Sequence, residues 1–139
     1  DGCATDRGVA RCEQWIDPNM DALSCRWADY GSRVWVNPPY GRTLPHWFRA
    51  SRRAIKEGCT LVCMLTMANT DTRYWLEHVA GHAAHVIFLA PRIRFMRPNG
   101  DRMSSAPKGS ALIVYDDLPW HQNRHTYWRF DREPFPILG

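Results

Sequence analysis

The 139-residue sequence predicts an α/β fold: a mostly parallel sheet with helices on both faces, finished by a C-terminal antiparallel hairpin. Three observations predict it. "CTLVCML" at 59–65 and "HVIFLA" at 85–90 are short and continuously apolar, as strands covered on both faces are. The stretches between the apolar runs carry their hydrophobic residues at helical spacing. Finally, "RIRF" at 92–95 and "GSALIVY" at 109–115 flank a polar loop with Pro98-Asn99-Gly100, the pattern of an antiparallel pair.

Along the chain, the first 32 residues offer only "CEQWI" at 12–16 as a strand and Asp17-Pro18-Asn19 as a turn. "RVWV" at 33–36 reads as a buried strand. Residues 43–57 set Leu44, Trp47, Phe48, Ala54 and Ile55 on one helical face, with Thr43 as N-cap, Pro45 in the first turn and Gly58 as the stop. A second helix starts near Asp71 and turns Trp75, Leu76 and Val79 inward before Gly81. From Asp116 onward, Trp120, Tyr127, Trp128 and Phe130 stand among charges and prolines, which suits a short strand and a tail.

Composition narrows the class. With 45% hydrophobic and 23% charged residues the chain is globular rather than disordered, and its length suits one domain over 1–139. No run approaches the roughly 18 apolar residues of a membrane span, and no signal segment opens the chain. The expectation is a soluble cytoplasmic monomer. Five Cys without a secretory signal predict reduced thiols. His78, His82, His85, Cys59 and Cys63 lack the four convergent ligands zinc requires, so no metal is expected. Missing, too, are a nucleophile elbow, a phosphate-binding lysine loop and a His-Glu-x-x-His helix, which disfavours hydrolases, triphosphatases and zinc proteases.

The net charge of +4 is concentrated in two places. Residues 42–58 hold Arg42, Arg49, Arg52, Arg53 and Lys56 against Glu57; residues 92–108 hold Arg92, Arg94, Arg97, Arg102 and Lys108 against Asp101. Two such clusters suit a polyanionic partner, and charge alone equally suits a solvated helix face and a solvated loop.

"RVWVNPPYGR" at 33–42 carries the chemistry. A residue before proline is driven to extended dihedrals, and each proline fixes its own φ and removes a donor. The result is a stiff turn presenting two acceptors, the Asn37 side-chain oxygen and the Pro38 carbonyl, beside the flat ring of Tyr40. Such a set suits a planar amine whose lone pair is tied up in conjugation, for example the exocyclic amine of adenine. Two acceptors on its hydrogens favour a more tetrahedral nitrogen, and the ring stacks on the base. A proline-rich strand exit with a buried Tyr is the plainer alternative.

"DGCAT" at 1–5, "DAL" at 21–23, Trp27, "VWVNPPYGR" at 34–42, "NTDTRYW" at 69–75, "RIRF" and "GSALIVY" occur in an order that resembles the phage-type adenine-specific DNA methyltransferases. The resemblance covers residues 1 to about 115, leaving 116–139 as a C-terminal extension. It implies a Rossmann-like class I methyltransferase sheet, S-adenosylmethionine as methyl donor and double-stranded DNA as partner. Asp1, Cys3 and Ala4 then match the loop against the methionine part of the cofactor, and Asp21 an acidic position near its adenosine. Asn37, Pro38, Pro39 and Tyr40 match the catalytic motif, with Asn37 also beside the cofactor; Asp71 and Thr72 match a loop on the same side. Because a duplex hides the amine, the base must be flipped out. Arg42, Arg92, Arg94, Arg97, Arg102 and Lys108 are the candidate phosphate contacts.

The chain departs from the family at Met67, where a proline is usual, at Asn69, often an arginine, and at Pro91, usually a glycine. The family also has sequence ahead of the first motif, so a shortened or trimmed chain is expected. Two rival readings remain: methylation of another planar nitrogen, in protein glutamine or RNA adenine, and a DNA-binding remnant without catalysis.

Overall fold

The computed structural model describes residues 1–3, 12–17, 19–96, 99–119 and 123–130, with only the backbone for residues 96 and 102–104. Ala4, Pro18, Arg97, Pro98 and Trp120 therefore lie outside the described residues.

Seven strands and two α-helices occur among the described residues: β1 (Arg33–Val36), α1 (Leu44–Lys56), β2 (Leu61–Met67), α2 (Arg73–His78), β3 (His85–Ala90), β4 (Arg94–Met96), β5 (Arg102–Ser105), β6 (Ser110–Asp116) and β7 (Arg124–Arg129). Five strands form one sheet in the order β1-β2-β6-β3-β7, and β4 and β5 form a separate two-stranded arm. β1 and β2 run parallel, as do β3 and β7, while β6 is antiparallel to both of its neighbours, β2 and β3. Four strands thus point one way and β6 alone is reversed.

α1 forms because its apolar positions recur on one stripe. Leu44, Trp47, Phe48, Ala50, Ser51 and Ala54 are buried, and Pro45 sits in the first turn, where no intrahelical N–H is needed. Burying a side chain such as Phe48, with no exposed surface, stabilises the fold by roughly 1.5–3 kcal/mol. Thr43 occupies the N-cap position without a side-chain cap bond. The far end closes on Gly58 at φ 116°, with Cys59 N–H donating to Ala54 O at 2.9 Å and Gly58 N–H to Ile55 O at 3.2 Å. That pair of bonds is the Schellman closure, which satisfies carbonyls left over by the last turn and requires a left-handed residue.

Both helices cover the same face of the sheet. From α1, Ser51 Oγ lies 3.8 Å from Met64 Sδ; on α2, the His78 carbonyl accepts from Tyr115 OH at 2.7 Å. Met64 and Tyr115 belong, with Val36, Val62, Ile113 and Val86, to one face of the sheet and to the core. The opposite face carries Trp35, Cys63, Leu65, Leu112, Val114 and Ile87, and no described helix covers it. The expected helices on both faces are therefore found on one.

Other expectations are corrected as well. "RIRF" and "GSALIVY" do not pair with each other: β4 pairs with β5, and β6 inserts between β2 and β3. A seven-residue apolar strand such as β6 is better buried in the centre of the large sheet than at a hairpin's edge. β1 alternates between exposed and buried residues because Arg33 and Trp35 lie on the uncovered face and Val34 and Val36 on the core face, with Trp35 36% exposed. Residues 12–16 form no strand, although Ile16 is buried and its N–H donates to Asp1 O at 2.9 Å. In the short α2, Trp75 and Val79 turn inward but Leu76, one residue and about 100° of rotation on from Trp75, is 63% exposed. The strand expected in the tail is β7, which joins the main sheet through β3.

Candidate functional site

All the strand ends that bear candidate residues meet at one edge of the sheet. Asn37–Tyr40 follow β1, Met67 closes β2, and the β4–β5 arm leaves the end of β3; Ser105–Pro107 precede the reversed β6, which brings them to the same edge. There a cavity of about 1090 Å³ opens. Cys3 and Asn37–Tyr40 form one wall, Asp17 and Asn19–Ala22 a second, and Phe95 with Ser105–Pro107 a third, with Trp47 and Met67 also contributing.

The catalytic-turn candidates are held from behind. Pro38 is buried, Asn37 and Pro39 are exposed and Tyr40 is half-buried. Tyr40 OH donates to Asn37 Oδ1 at a long 3.4 Å, and the Tyr40 ring meets Phe95 edge-on with centroids 6.1 Å apart. Burial, with a smaller contribution from Cys3, pushes the Tyr40 phenol up to about 12, so it stays neutral at physiological pH.

The first segment runs beside the free edge of β1. Gly2 N–H donates to Trp35 O at 2.8 Å, and the Cys3 thiol donates to the Asn37 carbonyl at 2.9 Å. Only glycine fits this approach comfortably: a Cβ on Gly2 would stand 3.3 Å from Val36 Cγ2 and 3.4 Å from Val34 Cγ1. Burial pushes the Cys3 thiol up to about 11, with smaller opposing effects from the Asn37 backbone and the N-terminal charge. Asp1 differs from Cys3. Its Oδ1 accepts from Cys3 N–H at 3.1 Å, and it lines a smaller cavity of about 330 Å³ beside Trp27 and Tyr30 rather than the large one.

Asp21 lines the large cavity but spends its carboxylate on its own turn, accepting from Ser24 OH at 2.6 Å and Leu23 N–H at 3.1 Å. Those bonds hold its carboxyl below the usual range. The 21–25 loop is in turn fastened to the core. Buried Trp27 donates from Nε1 to Ala22 O at 2.7 Å, and Arg53 on α1 donates to Leu23 O at 2.7 Å and Cys25 O at 3.3 Å.

Of the basic candidates, Arg42, Arg92, Arg94 and Lys108 are exposed. Arg92 donates to Pro107 O at 3.1 Å and Arg94 to Ser105 Oγ at 3.4 Å, which stiffens the arm beside the cavity. Arg102 stands opposite Met96 in the arm's register. On α1 the basic cluster is partly structural: besides Arg53, Arg52 donates to Glu77 O at 3.0 Å and faces His78. Cys3, Cys25, Cys59 and Cys63 are free thiols, and no three potential metal ligands gather among the described residues. No described helix is long and apolar enough to cross a membrane.

Asp17, Asn19, Met20, Trp47, Phe95 and Ser105–Pro107 are cavity residues that were not assigned a site role from the sequence. Phe95 lies within "RIRF" and Asp17 in a recognised turn, whose Met20 N–H donates to Asp17 O at 2.9 Å, so both left a trace. Residues 105–107 lie in the loop at 97–108, a candidate phosphate contact from its charges, with nothing in Ser105, Ala106 or Pro107 themselves to mark a cavity wall.

These features describe a mixed α/β fold with a cavity at the carboxyl edge of its sheet, where ligands usually bind in such folds. Comparison with known families is more specific. The family described as DNA N-6-adenine-methyltransferase (Dam) matches residues 1–132, and the chain belongs to that family. The match runs past residue 115 and takes in β7, so the extension inferred from the sequence belongs largely to the family region. Neither the curated proteins nor the solved structures compared with the chain gave a match.

Proposed function

We propose that this domain transfers a methyl group from S-adenosylmethionine to the exocyclic amine of an adenine flipped out of duplex DNA. The observation that carries the reading is the single cavity wall on which Cys3, Asn37, Pro38 and Tyr40 stand together, in a chain of the adenine-methyltransferase family. Asn37 and the Pro38 carbonyl hold the two hydrogens of the amine, and the Tyr40 ring supports the base. Positioning of the nitrogen in line with the methyl carbon supplies most of the rate. The half-buried turn is fixed before substrate arrives, so little reorganisation accompanies reaction.

The residues opposite fit the cofactor. Apolar Met20, Ala22 and Trp47 suit an adenine ring, and Asp17 and Asp21 supply negative charge for a positively charged ligand. A volume near 1090 Å³ exceeds what a single drug-sized ligand needs and leaves space for a base beside the cofactor. S-adenosylmethionine, when bound, supplies a methyl group on a positively charged sulfur. Arg42, Arg92, Arg94 and Lys108 rim this edge and are assigned to phosphates. Four strands pointing one way, with a site at their carboxyl ends, support a Rossmann-like class I sheet.

The test is transfer of labelled methyl from S-adenosylmethionine to unmethylated duplex DNA, with base analysis of the product. Label is expected on adenine, with Asn37→Ala lowering turnover about a hundredfold while cofactor affinity stays within about twofold. Label on a protein or RNA acceptor only, or an Asn37→Ala variant as fast as the parent, rejects the proposal.

A further inference from the structure

α1 presents one kind of charge to solvent. Its 13 residues include no Asp or Glu, and its exposed positions are His46, Arg49, Arg53 and Lys56. Steps of three and four residues place these along one stripe, opposite buried Trp47, Ser51 and Ala54. A helix face that only had to meet water would be better served by mixed charge. Arg49 repels Arg52 and Arg53, and Lys56 repels the same two, at spacings of three and four residues where opposite charges would stabilise the helix instead. Neighbouring acids are engaged elsewhere: Glu57 keeps Oε1 3.5 Å from Arg53, and Glu77, whose charge reaches Arg49, accepts from Arg73 at 2.6 Å. Among the described residues no carboxylate forms an ion pair with Arg42, Arg49 or Lys56.

We propose that this stripe, with Arg42 at its head, holds the phosphate backbone of one duplex arm flanking the flipped adenine. The inference rests on the DNA-methyltransferase reading above and deepens it by naming where the flanking duplex runs. Arg42 follows the Asn37–Tyr40 turn at the cavity, and α1 then returns against the direction of the parallel strands β1 and β2, so the stripe leads away from the cavity mouth. From His46 to Lys56 it extends about 15 Å, the rise of about four base pairs. A row of cations of one sign matches a row of phosphates, and it carries no base-reading geometry, so it would position the duplex without selecting its sequence. Arg53 is left out of the contact because it donates to Leu23 O and Cys25 O. No exposed position of α1 is apolar, so the face has nothing to insert into a lipid bilayer.

The test uses the full chain and labelled unmethylated duplexes of about 24 base pairs, with binding read by fluorescence anisotropy over a range of salt concentrations, so it needs no methyl transfer. Arg49→Gln with Lys56→Gln is expected to weaken affinity about tenfold at 0.1 M salt, equally on duplexes of different sequence, and to reduce the slope of log affinity against log salt by about two. Cofactor affinity should stay within about twofold. A second variant separates binding from folding. His46→Glu puts an acid in the first turn and three residues before Arg49, so Tm is expected to rise by about 2 °C while duplex affinity falls about threefold. A merely solvated helix face predicts the rise in Tm with no loss of affinity. Parent-like affinity and salt slope in both folded variants overturns the stripe alone, since the parent would still methylate adenine. A parent chain that binds no duplex at low salt overturns both readings. Binding to phosphatidylserine vesicles that the double variant loses, with duplex affinity unchanged, would replace DNA with an anionic membrane surface.

Discussion

The Cys3 thiol donates to the backbone carbonyl of Asn37 at 2.9 Å, tying the first cofactor-type motif to the turn that carries the proposed chemistry. The two residues are 34 apart in sequence, and the bond makes the geometry of one motif depend on the other.

The burial of Cys3 gives a pH prediction. Burial raises Cys3 to about 11 from an ordinary value of 9.0, and burial does the same to Cys63. A thiol whose folded value lies above its unfolded one favours folding most fully below pH 9.0 and loses that contribution as pH rises through about 11. Thermal unfolding followed from pH 7 to pH 11 should therefore show a falling Tm above about pH 9. Cys3→Ser, which does not titrate there, should flatten the fall; an identical profile would remove Cys3 from the account.

Gly2→Val should be more damaging than its place in a terminal segment suggests, because Gly2 is buried. The added side chain meets Val36 and Val34, where even a Cβ stands at 3.3 and 3.4 Å. Overpacking of this kind costs about 1–3 kcal/mol, and relief by shifting residues 1–3 would lengthen the Cys3–Asn37 contact. Denaturant unfolding measures the first effect. Faster alkylation of Cys3 reports the second, and unchanged stability together with unchanged alkylation would refute the close fit.

Tyr40→Phe and Tyr40→Ala should separate the ring from the hydroxyl. Because the hydroxyl reaches Asn37 Oδ1 only at 3.4 Å, its loss should leave methyl transfer within about fivefold of the parent. Removal of the ring takes away both the platform and the edge contact to Phe95, and base stacking is worth about 1–3 kcal/mol. Steady-state kinetics on duplex DNA should show Tyr40→Ala about tenfold or more worse in kcat/KM. Equal losses in the two variants would assign the role to the hydroxyl instead.

Arg53→Ala should loosen the cavity from a distance. Its bonds to Leu23 O and Cys25 O fasten the loop that begins at Asp21, so stability should fall by about 1 kcal/mol and S-adenosylmethionine should bind severalfold more weakly. Lys56→Ala, on the same helix and exposed, should change stability by less than about 0.5 kcal/mol. Calorimetric titration and urea unfolding distinguish the two, and matched behaviour would show that the charge cluster acts as a whole.

Much of the local architecture was legible. α1 lies within one residue of its expected bounds, and its Gly58 stop follows from a backbone that must turn left-handed. β3 runs from His85 to Ala90 as its apolar run indicates. The Asn37–Tyr40 turn was readable because prolines act on their own and neighbouring dihedrals, whatever the rest of the chain does. Leu76 was misread because α2 is too short for its helical periodicity to single out one face, and "CEQWI" because β-type composition does not by itself find a partner strand.

By itself, then, the sequence determined the helices, most of the strands, the stiff acceptor-bearing turn and the family, since each depends on residues near one another or on motif order. Tertiary structure alone decided that β6 lies reversed between β2 and β3, that both described helices share one face, and that Asp17, Phe95 and Ser105–Pro107 complete a cavity begun at Cys3 and Asn37. The reason is physical: strand order and cavity walls are set by which distant surfaces bury one another most completely, and no short-range pattern records that competition.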